Sequence, residues 1–298
     1  MDDPKQIGPT GLHPPSSVEK PMRFGGWIAI ILCLLLVLGP LLVMGFPHEV
    51  ARWLQAAAKE SVLNEDLESA SNYLDQAIQW APDHSSLYLQ RSGIRLQQND
   101  VSGSLEDCER TLQLNGAGFV DGLMQRLLVY QRMGQHELAL ADADRMVEES
   151  TNALERAVAL NTRAYGRALA KLEPQKGLDD IQAAFEALGT EDNPAFLDTR
   201  GYLFYQTGNF EQALVDMELA LQMSEDDRSN AAMQRETWLE QGGDERLLVR
   251  QERQVDESLA VLYQHRALVY EALGRTEEAN ADFKLAEEYG YNPELGIW

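Results

Sequence analysis

Three stretches of this 298-residue chain follow one pattern: GYLFYQTGNFEQALVDMELAL (201–221), ALVYEALGRTEEANADFKLAE (267–287) and LLVYQRMGQHELALADADRMV (127–147). In each, a bulky aromatic is followed by Gly four positions on, Ala five after that, and Asp three after the Ala. A recurrence of this kind limits the fold more than any other feature. One copy cannot bury its own apolar side, so each copy must be a small unit covered by the next, and the chain becomes a row of them. The body has few prolines, many alanines and leucines, and no strand-like alternation. The units therefore read as helical.

The same register runs along residues 51–293. A unit starting at Ala51 places Leu54, Ala70, Leu74, Ala77 and Pro82. One starting at Ser85 places Tyr88, Ser104 and Cys108, and one at Val120 places Leu123, Tyr130, Ala139 and Ala143. A fourth, over about 157–191, carries Gly177, Ile181 and Ala184 and needs one extra residue near Pro174. The fifth starts at Pro194 (Leu197, Gly201, Phe204, Ala213, Met217, Ala220), the sixth at Ala260 (Tyr263, Ala267, Tyr270, Ala279, Phe283, Ala286). On these residues the chain resembles the tetratricopeptide repeat family, whose unit is two antiparallel helices in about 34 residues. The resemblance implies an all-α solenoid of about six helix hairpins. It also explains Gly201 and Ala213 as small residues where the two helices of a unit cross closely. The chain also resembles uncharacterised bacterial membrane-anchored proteins of the family, a resemblance that supplies no activity.

Five units share a further pair. Arg stands at one position of the first helix (Arg91, Arg126, Arg163, Arg200, Arg266) and Asp at one position of the second (Asp107, Asp142, Asp180, Asp216, Asp282). The first unit has Ala57 and Tyr73 there. Pairing each Asp with the next unit's Arg would strand Arg91 and Asp282. Pairing inside the unit strands none. A guanidinium fork suits a carboxylate at a partly buried helix contact, so the expectation is a structural clamp within each unit.

Upstream of the row, residues 1–23 are polar and proline-containing and read as a disordered tail. Residues 24–47, FGGWIAIILCLLLVLGPLLVMGFP, carry no charge. About 20 apolar residues cross a bilayer core, so a single transmembrane helix is expected, a cleaved signal peptide being the rival. Lys20 and Arg23 precede the span closely, against Arg52 and Lys59 after it. This slight bias puts the N-terminus in the cytoplasm and the repeats outside it. The first 23 residues hold three charges of each sign, so the whole net charge of −23 lies in residues 24–298. Such a body repels phosphate backbones, which argues against nucleic acid as a partner. Cys33 and Cys108 lie far apart and no disulfide is expected.

An insert over 226–257 separates units five and six. It reads as a helix over about 227–240, a Gly242-Gly243 turn, and a helix from about 244 that runs into unit six. It is either a binding face or a lengthened hairpin that packs on its neighbours. Its GGDE (242–245) matches the signature turn of diguanylate cyclases, but that motif needs a strand hairpin and here the surroundings are helical. The five histidines have no metal-ligand spacing, and no phosphate loop or nucleophile elbow occurs. No cofactor, metal or catalytic residue is expected.

Binding remains. In the family, partner segments lie in a concave groove lined by first helices. The positions that match are Leu89 and Leu96; Met124, Leu128, Gln131 and Arg132; and Asp198, Tyr202, Tyr205 and Gln206. The subfamily that grips C-terminal carboxylates needs Lys and Asn where this chain has Gln55, Lys59, Leu89 and Gly93, so that mode is not implied. An apolar, aromatic groove suits a helix or extended segment of another protein, either here or on the insert. The alternative is that the chain's own insert or ends fill it. Residues 294–298, with Ile297 and Trp298, read as a tail capping the last helix. The reading is a membrane-anchored scaffold that recruits a partner protein. The alternative is an accessory subunit of a membrane enzyme or secretion assembly, held through its span.

Overall fold

A computed structural model describes residues 47–292. The predicted tail 1–23, the span 24–47 except for Pro47, and the cap 294–298 lie outside the described residues. Among the described residues no helix is long and apolar enough to cross a membrane.

Among the described residues twelve helices make six hairpins: α1 (Pro47–Leu63) with α2 (Leu67–Trp80), α3 (Ser85–Gln97) with α4 (Val101–Asn115), α5 (Val120–Arg132) with α6 (His136–Glu149), α7 (Ala153–Ala170) with α8 (Pro174–Leu188), α9 (Pro194–Gln206) with α10 (Phe210–Glu240), and α11 (Glu245–Ala272) with α12 (Thr276–Glu288). Each second helix also packs on the next first helix, from α2 on α3 through α10 on α11.

Local chemistry sets the boundaries. Asp66, Asp100, Asn152, Asn193 and Asp244 cap α2, α4, α7, α9 and α11, their side chains accepting from backbone N–H groups of the first turn. The turn inside a hairpin needs one left-handed residue. Gly134, Gly208 and Gly274 supply it at φ of 69°, 79° and 74°. Glu65 and Asn99 take the same place in the first two hairpins, at φ of 61° and 63°. The extra residue near Pro174 appears as two left-handed residues, Lys171 and Glu173, in the fourth.

Close approach fixes the crossing of α9 and α10. A methyl group at Gly201 would stand 3.0 Å from Met217 Cγ and 3.2 Å from the Ala213 carbonyl oxygen. Gly201 gives up about 1 kcal/mol of helix propensity to let the backbones meet. A continuous core runs through the hairpins from Leu112 on α4 to Ala286 on α12, with a separate cluster around Leu54, Leu74 and Leu87 in the first hairpin and α3.

In five hairpins an arginine fork closes on a buried aspartate. Arg91 Nε and Nη2 donate to Asp107 at 2.8 and 2.6 Å; Arg126 to Asp142 at 2.9 and 2.6 Å; Arg163 to Asp180 at 2.9 and 2.6 Å; Arg200 to Asp216 at 2.7 and 2.9 Å; Arg266 to Asp282 at 2.6 and 2.9 Å. Aromatic rings sit against the guanidiniums, among them Phe185 at 4.7 Å from Arg200 and Tyr270 at 5.4 Å from Arg266. The hydrogen bonds they donate to Asp142 and Asp216 hold Arg126 and Arg200 above the ordinary arginine pKa. The third nitrogen, Nη1, reaches the preceding hairpin: Arg91 to Asp75 at 2.5 Å, Arg163 to Asp144 at 2.9 Å and Arg200 to Glu191 of the α8–α9 loop at 2.9 Å. Asp75 and Asp144 stand two residues after Tyr73 and Asp142, a spacing the sequence reading did not pick out. The five aspartates of the register pair inside their own units, as the sequence predicts, and the bonds to the preceding side use other acids.

The insert differs from its sequence reading. Its first half is not a separate helix over 227–240: α10 runs unbroken for 31 residues from Phe210. No Gly or Pro occurs between Asn209 and Gly242, so nothing stops it. Gly242, at φ 83°, makes the turn, and the backbone of Gly243 lies against the Trp238 ring. Asp244 of GGDE is the N-cap of α11.

The clamp yields a measurable coupling. Arg200→Ala is expected to destabilise the domain by about 1–4 kcal/mol, because Asp216 stays buried without its partner. Arg200→Ala with Asp216→Ala costs less than the two singles added, by at least about 1 kcal/mol in urea melts. Additive losses would remove the clamp from the account.

Candidate functional site

First helices adjoin between α3 and α5, between α7 and α9, and between α9 and α11. The residues singled out on first helices therefore divide into two patches. Leu89 on α3 and Met124, Gln131 and Arg132 on α5 are half-buried, and Leu128 is 41% exposed. This patch keeps apolar side chains at the surface, with Met124 resting on the core.

The second patch is built otherwise. Asp198 does not line an open groove. It is buried on α9 and accepts hydrogen bonds at 2.8 and 3.0 Å from Nδ1 of buried His265 on α11. An ionised carboxylate only accepts, which places the ring proton on Nδ1. His265 also stacks on Tyr202, with ring centroids 4.3 Å apart and planes at 13°. Tyr202 is thus packed between repeats, half-buried, and burial pushes its hydroxyl pKa up. The physical reason is the length and placement of α11: its first-helix face covers α9, so a position that would line an open groove meets the next repeat instead.

Tyr205 continues the aromatic row, 6.0 Å from Tyr202 in a stacked arrangement and 6.0 Å from Phe210. The Gln206 amide donates at 2.6 Å to the Ala168 carbonyl, which also accepts from the Lys171 N–H at the end of α7. Among the described residues, buried polar atoms without a hydrogen-bond partner include Asn161 Oδ1, the Tyr165 hydroxyl and Gln206 Oε1. Burial raises the Tyr165 pKa well above the usual tyrosine value. Asn161, Tyr165 and His265 were missed in sequence. His265 was the findable one, because a histidine on the apolar side of a first helix calls for a polar partner across the repeat boundary.

The arrangement offers surface, shape and hydrogen-bonding atoms to another chain. Among the described residues no three His, Cys, Asp or Glu side chains group as metal ligands would.

The family model for the tetratricopeptide repeat matches residues 260–289, the sixth hairpin. These are tetratricopeptide repeats. Tetratricopeptide repeat protein 36 of Bos taurus is 39% identical over 83 residues, which is 27% of this chain and 44% of that protein. The Homo sapiens protein is 35% identical over the same shares. The chain therefore spans less than half the length of the curated relatives it matches. Among solved structures, a tetratricopeptide repeat protein from Parabacteroides merdae aligns with a TM-score of 0.53 at 19% identity, covering 84% of this chain and 98% of that one. PilW, described as a type IV pilus biogenesis factor, aligns with a TM-score of 0.56 at 14% identity, covering 83% and 97%. At these identities the likeness is one of fold. Tetratricopeptide repeat folds bind protein or peptide partners.

Proposed function

We propose that this tetratricopeptide repeat protein is a membrane-anchored scaffold that holds a segment of a partner protein against its first helices. The observation that carries the reading is the α3–α5 patch. Leu89, Met124 and Leu128 keep apolar area at the surface in the middle of an otherwise acidic body, and binding energy concentrates on such side chains. Tyr205 extends the surface on α9. The anchor is residues 24–47, whose uncharged length suits a bilayer. No catalytic step belongs to this reading.

Met124→Gln, Leu128→Gln and Tyr205→Ser together are expected to abolish co-purification of partners from detergent-solubilised membranes. The melting temperature is expected to fall by only a few degrees, since all three side chains keep exposed area. A companion chain, with residues 24–47 replaced by an unrelated apolar span, is expected to keep its partners. If the triple variant keeps them and the span replacement loses them, the accessory-subunit reading is right and the scaffold reading wrong.

The proposed orientation puts the repeats outside the cytoplasm, supported by Lys20 and Arg23 ahead of the span. A membrane-impermeant thiol reagent on intact cells is expected to label Gln251→Cys and not Ser16→Cys. Native Cys108 is buried and its thiol pKa is pushed up to about 11, so it stays silent. The reverse labelling pattern would place the repeats in the cytoplasm.

A further inference from the structure

In a row of repeats each unit touches only its neighbours. A contact between the first and the sixth needs an element of its own, and the insert provides one. The extended parts of α10 and α11 are tied to each other by Arg228 on Asp256 at 2.7 Å and by Arg235 on Glu252 at 2.6 Å and on Glu245 at 2.9 Å. From this stiffened pair, α11 sends two arginines, two helical turns apart, to the α1–α2 corner of the first hairpin. Arg246 Nη1 donates to Asn64 Oδ1 at 2.7 Å and to Glu60. Arg253 Nη2 donates to Glu65. Asp244, the helix cap, holds the Arg246 guanidinium in place at 2.7 and 3.1 Å. The partners are 186 and 188 residues apart in sequence.

Between the two sides lies a cleft of about 940 Å³, lined by Val62, Leu63 and Leu67 of the first hairpin, Gln97 of α3, and Val249 and Arg250 of α11. The two sides meet through exposed charges around open space. Exposed ion pairs shift an equilibrium by a few-fold each and weaken as salt screens them. A contact made this way is poised to open, unlike the packed seams between successive repeats.

We propose that the α10–α11 extension is a strap that latches the last repeat to the first through Arg246 and Arg253 on Glu60, Asn64 and Glu65, closing the row into a ring, and that it releases reversibly. Closure fixes the curvature of the row and covers the ends of α1 and α3. Release lets the repeats spread and opens the side from which a segment reaches the first helices. That consequence rests on the scaffold reading. The latch does not, and its test involves no partner.

The test is a distance distribution by electron–electron double resonance on the full chain in detergent, with spin labels at Ala56→Cys on α1 and Gln251→Cys on α11. Cys33 is replaced by Ala, and buried Cys108 does not react. At low salt a single short, narrow distance is expected. In about 1 M salt, or with Arg246→Glu and Arg253→Glu, a longer and broader population is expected to rise by about fivefold or more. Adding Glu60→Arg and Glu65→Arg to those two reversals is expected to restore the narrow distance, which a variant that merely misfolded could not do. An unchanged distribution in the doubly reversed chain, or failure of the fourfold swap to restore it, overturns the proposal.

Discussion

The bidentate arginine–aspartate pair inside the hairpins is the contact on which the rest of this structure depends. Helix pairs built from alanine, leucine and glycine slide easily, because their ridges and grooves repeat along the axis. A planar guanidinium seated on a buried carboxylate permits one offset only. Asp107, Asp142, Asp216 and Asp282 are all below 6% exposed, and Asp142, Asp216 or Asp282 without its arginine would be a buried unpaired charge. Hydrophobic burial supplies the drive to pack, and the clamp selects how. The cross-unit bonds of Arg91, Arg163 and Arg200 carry that selection from one hairpin to the next.

Much of this was legible in the sequence because it is periodic. Gly201 beside Arg200 makes little sense on an isolated amphipathic helix and full sense at a helix crossing with a charge clamp. The left-handed turn residues were legible where they are glycine and hidden where Glu65 and Asn99 take their place. What escaped was whatever belongs to one place only. Asp198 and His265 meet across a repeat boundary, 67 residues apart, and no repeat register encodes that pair. The continuity of α10 followed from the absence of Gly and Pro after Asn209, a signal outweighed by the end of the repeat pattern. The meeting of α11 with the first hairpin depends on the summed twist of six hairpins, which is a property of the whole row.

The same division separates support from surface among the candidate site residues. Asp198, Tyr202 and Gln206 are held by contacts to neighbouring repeats and give the fifth repeat its seat on the fourth and sixth. Leu89, Met124, Leu128 and Tyr205 retain apolar area at the surface. The proposed scaffold uses both: a spine of contacts between repeats, and a few side chains with apolar area left to bury against a partner. The acidic charge of the body adds long-range selection, favouring basic partners and weakening with salt.

The most direct test of the clamp as the organising contact is hydrogen exchange, read segment by segment on the full chain and on Asp142→Asn, which keeps the side-chain shape and removes the charge. In a row of repeats, loss of one clamp opens its own hairpin first. The account predicts exchange about tenfold faster or more in α5 and α6, with α1, α2 and α12 near their original rates. Unchanged exchange in α5 and α6, or an equal rise in every hairpin, would contradict it.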